Sequence, residues 1–150
     1  MTYFNDLTDY VYSEAHVREN TKNIGWLACE VAYSKGERSE ILDLLWSYCQ
    51  ISVAQKRGLH MCDICSPNAI VHAHRDGVSL LLGGAELRVF SNSGVIYAAP
   101  DLIFHYVESH GYTPPDEFIV AMREGPRPPS AEYLSQLEYN NIEWCMNPME

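Results

Sequence analysis

The clearest pattern along the chain is a helical alternation of apolar and polar residues between positions 39 and 50. Apolar side chains recur there at three- and four-residue spacing, with acidic and polar residues on the opposite side. The apolar members are Ile41, Leu42, Leu44, Leu45, Tyr48 and Cys49. Ser39 stands at the expected N-cap, because its hydroxyl can accept a hydrogen bond from a free amide of the first turn. The pattern therefore predicts a helix over residues 39–50.

Four short segments with strand character follow in the middle of the chain. They cover residues 69–74, 78–82, 85–90 and 95–98, with turn-forming residues between them. In the third segment, Leu87 and Val89 alternate with Glu86 and Arg88, as expected for a strand with two different faces. The segment at 91–94 has the composition of a hairpin turn. This order predicts a small antiparallel meander.

The last third of the chain is predicted to be mainly helical. Pro100 takes the favoured first position of one helix, and Gly111 takes the position that ends it. A second short helix is predicted over residues 116–123, and Ser130 caps a third. Residues 140–150 are expected to form either a docked segment or a loose tail.

Strands and helices are segregated along the chain, which favours an α+β fold over an alternating α/β fold. The chain has 150 residues, and a domain of this size buries roughly 70% of the surface that its unfolded form exposes. We therefore predict a single α+β domain over residues 1–150, in which a small antiparallel sheet is packed by three or four helices. A (β/α)8 barrel is excluded, because that fold needs about 200 residues or more.

The charge of the chain limits the partners that it can bind. Ten Lys and Arg residues against twenty Asp and Glu residues give a formal net charge of −10. This charge repels a phosphate backbone and an anionic membrane surface, so we expect neither nucleic-acid nor membrane binding. It permits a basic protein partner, which an acidic surface attracts. Acidity that only keeps the protein soluble is the simpler interpretation.

The cysteines and the absence of targeting features predict a cytoplasmic protein. No apolar run approaches the roughly 18 residues of a membrane helix. The first residues lack the basic and apolar regions of a secretory signal. The odd number of cysteines favours free thiols in a reducing compartment. The five are Cys29, Cys49, Cys62, Cys65 and Cys145.

Cys62 and Cys65 form the one recognisable pair among the cysteines, and three interpretations of it are open. A Cys-x2-Cys turn can direct both sulfur atoms to one tetrahedral centre, which is why structural zinc sites use this spacing. A redox dithiol is a second interpretation, although it needs a helix after the pair, and Pro67 and Asn68 break the chain there. In the third interpretation both cysteines are ordinary small core residues.

A four-coordinate zinc site needs two further ligands, and histidines are the natural candidates. His105 and His110 are separated by four residues, within the His-x3-5-His range of zinc fingers. His60, two residues before Cys62, is the first reserve ligand. His72 and His74 also face one side of a predicted strand, but a polar strand face explains that pair better. The favoured set is therefore Cys62, Cys65, His105 and His110, a closed structural zinc site.

The same residues carry a resemblance to a known group of proteins. The chain contains a His-x-Cys-x2-Cys turn at residues 60–65 and the block A-P-x-L-I-x-H-Y-x3-H-x-Y-x-P-P at residues 99–115. In both blocks it resembles a family of small, uncharacterised bacterial proteins. The resemblance covers the middle and later half of the chain and implies no activity, but it favours His60, His105 and His110 over His72 and His74.

These observations favour a non-enzymatic binding or regulatory domain over an enzyme. No nucleotide-binding loop or nucleophile elbow is present, so no catalytic residue and no organic cofactor are assigned. One specific form is an acidic, immunity-type inhibitor of a basic toxin. The alternative is a small zinc-dependent hydrolase, with His60, Cys62 and Cys65 as ligands and Glu108 or Asp63 as general base. The partner, the substrate and the oligomeric state do not follow from the sequence.

Overall fold

The computed structural model describes residues 3–13, 18–27, 38–55, 58–65 and 67–147. Four helices and seven strands are found among these residues. In chain order they are β1 (Thr21–Asn23), α1 (Ser39–Tyr48), β2 (Ile51–Val53), β3 (Val71–Arg75), β4 (Val78–Leu82), β5 (Glu86–Phe90), β6 (Ile96–Pro100), α2 (Ile103–His110), α3 (Asp116–Glu124), α4 (Ala131–Tyr139) and β7 (Trp144–Met146). The arrangement confirms the predicted α+β fold.

Five of the strands form the main sheet, in the order β1-β6-β5-β2-β7. β5 and β6 pair antiparallel across the predicted turn at residues 91–94, and β2 pairs antiparallel with both β5 and β7. β1 pairs parallel with β6, so the sheet is mixed. Every residue of β5 and β6 is buried, so these two strands are covered on both faces.

The strands β3 and β4 form a separate two-stranded sheet. Asp76 and Gly77 join them in a two-residue turn with φ angles of 50° and 81°, as a type I′ hairpin turn requires. The chain leaves β4 through Gly83, whose φ of 108° changes its direction. The predicted strands therefore form two hairpins instead of one continuous meander.

Helix α1 lies where the apolar periodicity predicts it. It spans Ser39–Tyr48, and its N-cap is Arg38, with no side-chain hydrogen bond at the cap. The prediction that Ser39 caps the helix is therefore wrong, because the helix begins at Ser39 itself. The buried face is the predicted one and consists of Ile41, Leu44, Leu45 and Tyr48.

The start of α2 differs from the prediction, whereas its end agrees. Pro100 does not open the helix, because pairing with β5 extends to it and makes it the last residue of β6. Helix α2 begins at Ile103, and the Asp101 side chain accepts a hydrogen bond from the Gly83 amide at 2.8 Å. Gly111 ends α2 in the left-handed conformation with φ 72°, as predicted.

The two C-terminal helices follow the sequence signals closely. Helix α3 spans Asp116–Glu124, one residue beyond the predicted end. Ser130 caps α4 as predicted, because its Oγ accepts a hydrogen bond from the Tyr133 amide at 3.2 Å.

The described part of the C-terminal segment is docked against the sheet. Strand β7 pairs with β2 along Trp144–Met146. The Asn147 side chain then donates hydrogen bonds to the Cys49 carbonyl and to Ser52 Oγ, both at 2.7 Å. Of the two arrangements expected for residues 140–150, the structure has the docked one up to residue 147.

The main sheet separates two buried clusters. Leu87 belongs to the large core formed with the helices. On the opposite face, Arg88 lies across from Ala98 in the register of β5 and β6, and Ala98 packs with Tyr10 and Trp26 in a smaller cluster. The N-terminal segment therefore covers the second face of the sheet.

Candidate metal centre

The cysteine turn lies between β2 and β3 and is hydrogen-bonded to residues just before β3 and just after β4. The Cys62 amide donates a hydrogen bond to the Ala69 carbonyl at 2.8 Å, and the His60 amide donates to the Gly83 carbonyl at 2.9 Å. Cys62 is fully buried and Cys65 is partly buried. These backbone bonds hold the turn against the end of the hairpin and direct its sulfur atoms inward.

Helix α2 supplies the two histidines. Its apolar residues Phe104, Tyr106 and Val107 are buried and anchor the helix. His105 and His110 are five positions apart, which corresponds to about 140° around a helix. Their long side chains converge nevertheless, with the ring centroids 4.9 Å apart. Because His110 is the last residue of the helix before Gly111, its side chain reaches the site from the helix end.

The structure brings together the four residues that the sequence favours as metal ligands. Nε2 of His110 lies 3.4 Å from the sulfur atoms of Cys62 and Cys65, and Nε2 of His105 lies 3.4 Å from the Cys65 sulfur. The two Nε2 atoms are 3.2 Å apart, and all four donor atoms lie within 4.8 Å of one another. A tetrahedral zinc ion with bonds of about 2.3 Å to sulfur and about 2.0 Å to nitrogen separates its ligand atoms by about 3.3–3.8 Å. The group could therefore hold a metal ion.

The surroundings of His105 and His110 keep both imidazoles neutral, which is the form that binds a metal. Burial, and secondarily the charge of His110, lower the pKa of His105 to about 4. Burial also lowers the pKa of His110. Both rings are thus neutral at pH 7 and keep a nitrogen lone pair available. Burial and the neighbouring Cys62 raise the pKa of the Cys65 thiol, so metal binding must displace a proton from it.

The lowered pKa of His105 also links folding to pH in the metal-free protein. The unfolded chain takes up a proton at this histidine as the pH falls through its usual pKa of 6.5, whereas the folded chain resists protonation until about pH 4. The unfolded state therefore binds more protons between these values. The stability that His105 contributes is present above about pH 6.5 and is lost as the pH falls toward 4.

Gly83 joins the two halves of the metal centre. Its carbonyl accepts the hydrogen bond from His60 on the cysteine turn, and its amide donates to Asp101, which stands just before α2. A Cβ atom at this position would lie 2.3 Å from the His60 carbonyl oxygen, and φ is 108°. Only glycine allows this close approach of the two segments.

We expect Gly83→Ala to lower the free energy of unfolding by about 2–4 kcal/mol, because it combines a backbone clash with an unfavourable φ. Gly94→Ala is the matched control, since Gly94 has a φ of 92° but no atom within 4 Å of the added Cβ. The control should lose only about 1–2 kcal/mol, from backbone strain alone. Urea denaturation of both variants measures the difference. Equal losses would show that the approach of His60 to Gly83 does not matter.

The other candidate ligands lie outside the group. His60 lines a small cavity beside Asp101. His72 and His74 are exposed on the outer face of β3, with their rings stacked at a centroid separation of 6.4 Å. Among the described residues, the four-residue group contains none of these three histidines. Cys49 and Cys145 are free thiols away from it, and Cys29 lies outside the described residues.

Strand β5 carries a buried ion pair that was not predicted from the sequence. Arg88 is 0% exposed and Glu86 is 3% exposed. Arg88 Nη1 donates to Glu86 Oε1 at 2.9 Å, and the Tyr10 hydroxyl donates to the same oxygen at 2.7 Å. The alternation with Leu87 assigns Glu86 and Arg88 to the same face of the strand. Their opposite charges, two positions apart, were the sequence signal that could have predicted an ion pair. What the alternation does not reveal is that this face is also covered.

The fold and the site together define an α+β domain with a two-cysteine, two-histidine group that could hold a metal ion. Residues 2–123 match a protein family described as "Domain of unknown function (DUF7919)". The match covers most of the chain, so the protein belongs to this family, and all four residues of the group lie within the matched range. Searches of curated proteins and of solved structures gave no match. None of the described helices has the length and apolar character needed to cross a membrane.

Proposed function

We propose that this protein is a non-enzymatic binding or regulatory domain whose fold is stabilised by one structural zinc ion. The observation that supports it is the convergence of Cys62, Cys65, His105 and His110 at separations suited to one tetrahedral ion. Structural zinc sites are closed by four protein ligands, whereas a catalytic zinc keeps one position for water. Four donors leave no such position, which favours the structural role over the alternative of a zinc hydrolase.

The donor set favours zinc over other common metals. Thiolates and imidazoles in tetrahedral arrangement suit zinc, whereas magnesium and calcium prefer oxygen ligands in larger coordination shells. The two imidazoles are neutral at pH 7 because burial lowers the pKa values of His105 and His110. Free cysteines are maintained in the reducing cytoplasm, and we propose that this domain acts in the cytoplasm of a bacterium.

The positions of the ligands explain how a metal would stabilise the fold. Residues 66–104 separate the cysteine turn from His105, and they include both β hairpins. An ion bound by both ends would close this long loop and fix α2 against the β3–β4 hairpin. A metal that joins the two ends of a long loop in the folded state, and does not bind the unfolded chain, raises the free energy of unfolding.

Metal analysis of protein purified without added metal tests the zinc proposal. We expect close to one equivalent of zinc per chain in the wild type, and little in Cys65→Ser, because the variant loses a thiolate ligand. Cys145→Ser is the control, since Cys145 is exposed and lies outside the group, and it should retain the metal. Less than about a tenth of an equivalent in the wild type would exclude a resident zinc.

An apolar surface beside the metal centre supports a binding role. Leu59, Met61, Ile70 and Leu81 are 43%, 44%, 53% and 48% exposed. They lie on adjoining segments, because the cysteine turn is hydrogen-bonded to Ala69, shortly before β3, and to Gly83, directly after β4. Large apolar groups clustered on a surface mark interaction sites. We call these four residues the hairpin patch.

The proposed partner is a basic protein, and one form of the function is an immunity-type inhibitor that covers a basic toxin. The net charge of −10 supports this choice, because it attracts a basic surface over long range. The hairpin patch would supply the apolar contact that excludes water, and the negative charge of the whole chain would attract the basic partner.

Capture experiments at several salt concentrations test the partner proposal. We expect the immobilised chain to retain a basic protein that is released as the salt concentration rises, because salt screens the attraction. Leu81→Glu should weaken retention by disrupting the hairpin patch. Val120→Glu is the control, since Val120 is 40% exposed on α3. Salt-independent retention, or equal effects of the two variants, would count against the proposal.

A further inference from the structure

The outer face of the β3–β4 hairpin carries two histidines that do not belong to the candidate metal centre. The buried side chains of Val71 and Ala73 hold the inner face of β3 against the core. His72 and His74 alternate with them, so both imidazoles stand on the exposed face of the strand. Antiparallel pairing with β4 runs along the whole of β3. The backbone therefore fixes the spacing at which the two imidazoles face the solvent.

The nitrogen atoms of both rings are available to a ligand. Within the described part of the chain, neither imidazole forms a hydrogen bond or an ion pair, and the rings contact each other with their planes 15° apart. A neutral imidazole has one nitrogen with a free lone pair and is the commonest metal ligand among side chains. Two imidazoles on one strand face can bind one ion together, and the second bond then forms within the molecule at a high effective concentration.

The charges around the two histidines do not oppose a cation. Leu81 and Ser79, both uncharged, stand opposite His72 and His74 in the register of the hairpin. Arg75 is the cation of β3, but the alternation of the strand assigns it to the inner face, where it forms an ion pair with Asp43. The chain as a whole has a formal net charge of −10, which raises the local concentration of cations.

Small movements bring the two rings to the separation that one ion requires. With metal–nitrogen bonds of about 2.0–2.1 Å, two neighbouring imidazoles on one ion have ring centroids about 4.5–5.2 Å apart. The centroids of His105 and His110 in the candidate metal centre are 4.9 Å apart, and those of His72 and His74 are 6.4 Å apart. Exposed side chains change their torsion angles readily, so the second pair can close this difference without any movement of the strand.

We propose that His72 and His74 form a second metal site, which binds one late first-row divalent ion of the class of zinc, nickel and copper(II). Imidazole ligands suit these ions, whereas magnesium and calcium prefer oxygen ligands. Two protein ligands leave the other coordination positions to water, so this site exchanges its ion, in contrast to a centre closed by four ligands. The site shares no ligand with the proposed zinc centre. It adjoins the hairpin patch, because His72 stands opposite Leu81.

The test is an NMR titration with nickel of tag-free protein that has been loaded with zinc and desalted. It is carried out at about pH 7.5, because only a neutral imidazole binds a metal. Nickel is paramagnetic and broadens the signals of nearby nuclei, so it reports where it binds. We expect saturable broadening of the Ser79 and Leu81 amides, which stand opposite the histidines, and no response to magnesium. Broadening confined to the surroundings of His110, or an equal response to magnesium, would overturn the proposal.

His72→Gln and His74→Gln provide the second measurement. Each variant keeps one imidazole, so the affinity for nickel, followed at the Ser79 amide, should fall by about tenfold or more. Both side chains are exposed, so neither substitution should disturb the fold. His60→Gln is the matched control, since His60 lies outside both groups of ligands, and it should bind nickel as the wild type does. Unchanged affinity in either variant would show that the two rings do not hold one ion together and would overturn the proposal.

Discussion

Cys65→Ser is expected to lower the free energy of unfolding by about 4 kcal/mol when free zinc exceeds the dissociation constant about a thousandfold. The variant loses one of the four donors and with it the ion that joins the cysteine turn to α2. Cys65 suits this test better than Cys62, because Cys62 is fully buried and its replacement would also disturb the core. Urea denaturation with and without a chelator measures the effect.

The chelator separates the loss of metal from other effects of the substitution. It should destabilise the wild type by about the same amount as Cys65→Ser does, and it should leave the variant unchanged. Cys145→Ser, at an exposed cysteine, should change stability by less than about 0.5 kcal/mol. A wild type whose stability does not respond to the chelator would show that no metal contributes to folding.

Arg88→Met is expected to cost about 3–5 kcal/mol of stability, because it leaves the buried carboxylate of Glu86 without its positive partner. Arg88 has no exposed surface, and its guanidinium also lies 4.7 Å from the centre of the Tyr10 ring. Methionine fills much of the same volume, so the loss should come from the unpaired charge more than from a cavity. Chemical denaturation at pH 7 gives the value.

The double variant Glu86→Gln with Arg88→Met tests this explanation. Removing both charges should recover much of the lost stability, since buried ion pairs can be replaced by neutral groups at small cost. Glutamine still offers an oxygen to the Tyr10 hydroxyl, which donates to Glu86 at 2.7 Å in the wild type. If the double variant is as unstable as the single one, packing of Arg88 and not its charge stabilises this region.

Much of the local structure was predictable, because it depends on residues close together in the chain. The apolar periodicity predicted α1, Ser130 predicted the start of α4, and Gly111 predicted the end of α2. Pro100 misled the prediction because its preference for the first turn of a helix competes with strand pairing. Pairing with β5 places Pro100 in a strand. That pairing depends on a segment more than ten residues away, so the local sequence does not show it.

The candidate metal centre was predictable in its residues but not in its arrangement. The Cys-x2-Cys spacing and the His-x4-His spacing are local signals of ligand chemistry. The spacing of His105 and His110 favoured them over His72 and His74, and the resemblance to the uncharacterised family added support. The tertiary structure then placed the first pair beside the sulfur atoms. The hydrogen bonds of Gly83 that join the two segments have no signature in the sequence.

The sequence by itself determined the kinds of elements, the α+β class and the chemical identity of the candidate ligands, since these follow from periodicity, capping and side-chain type. Only the tertiary structure decided the parallel pairing of β1 with β6, the docking of β7 and the burial of Glu86 and Arg88. The physical reason is that the local alternation of apolar and polar residues shows which face of a strand or helix a residue occupies. What covers that face depends on segments distant in the chain, here the N-terminal segment with Tyr10 and Trp26.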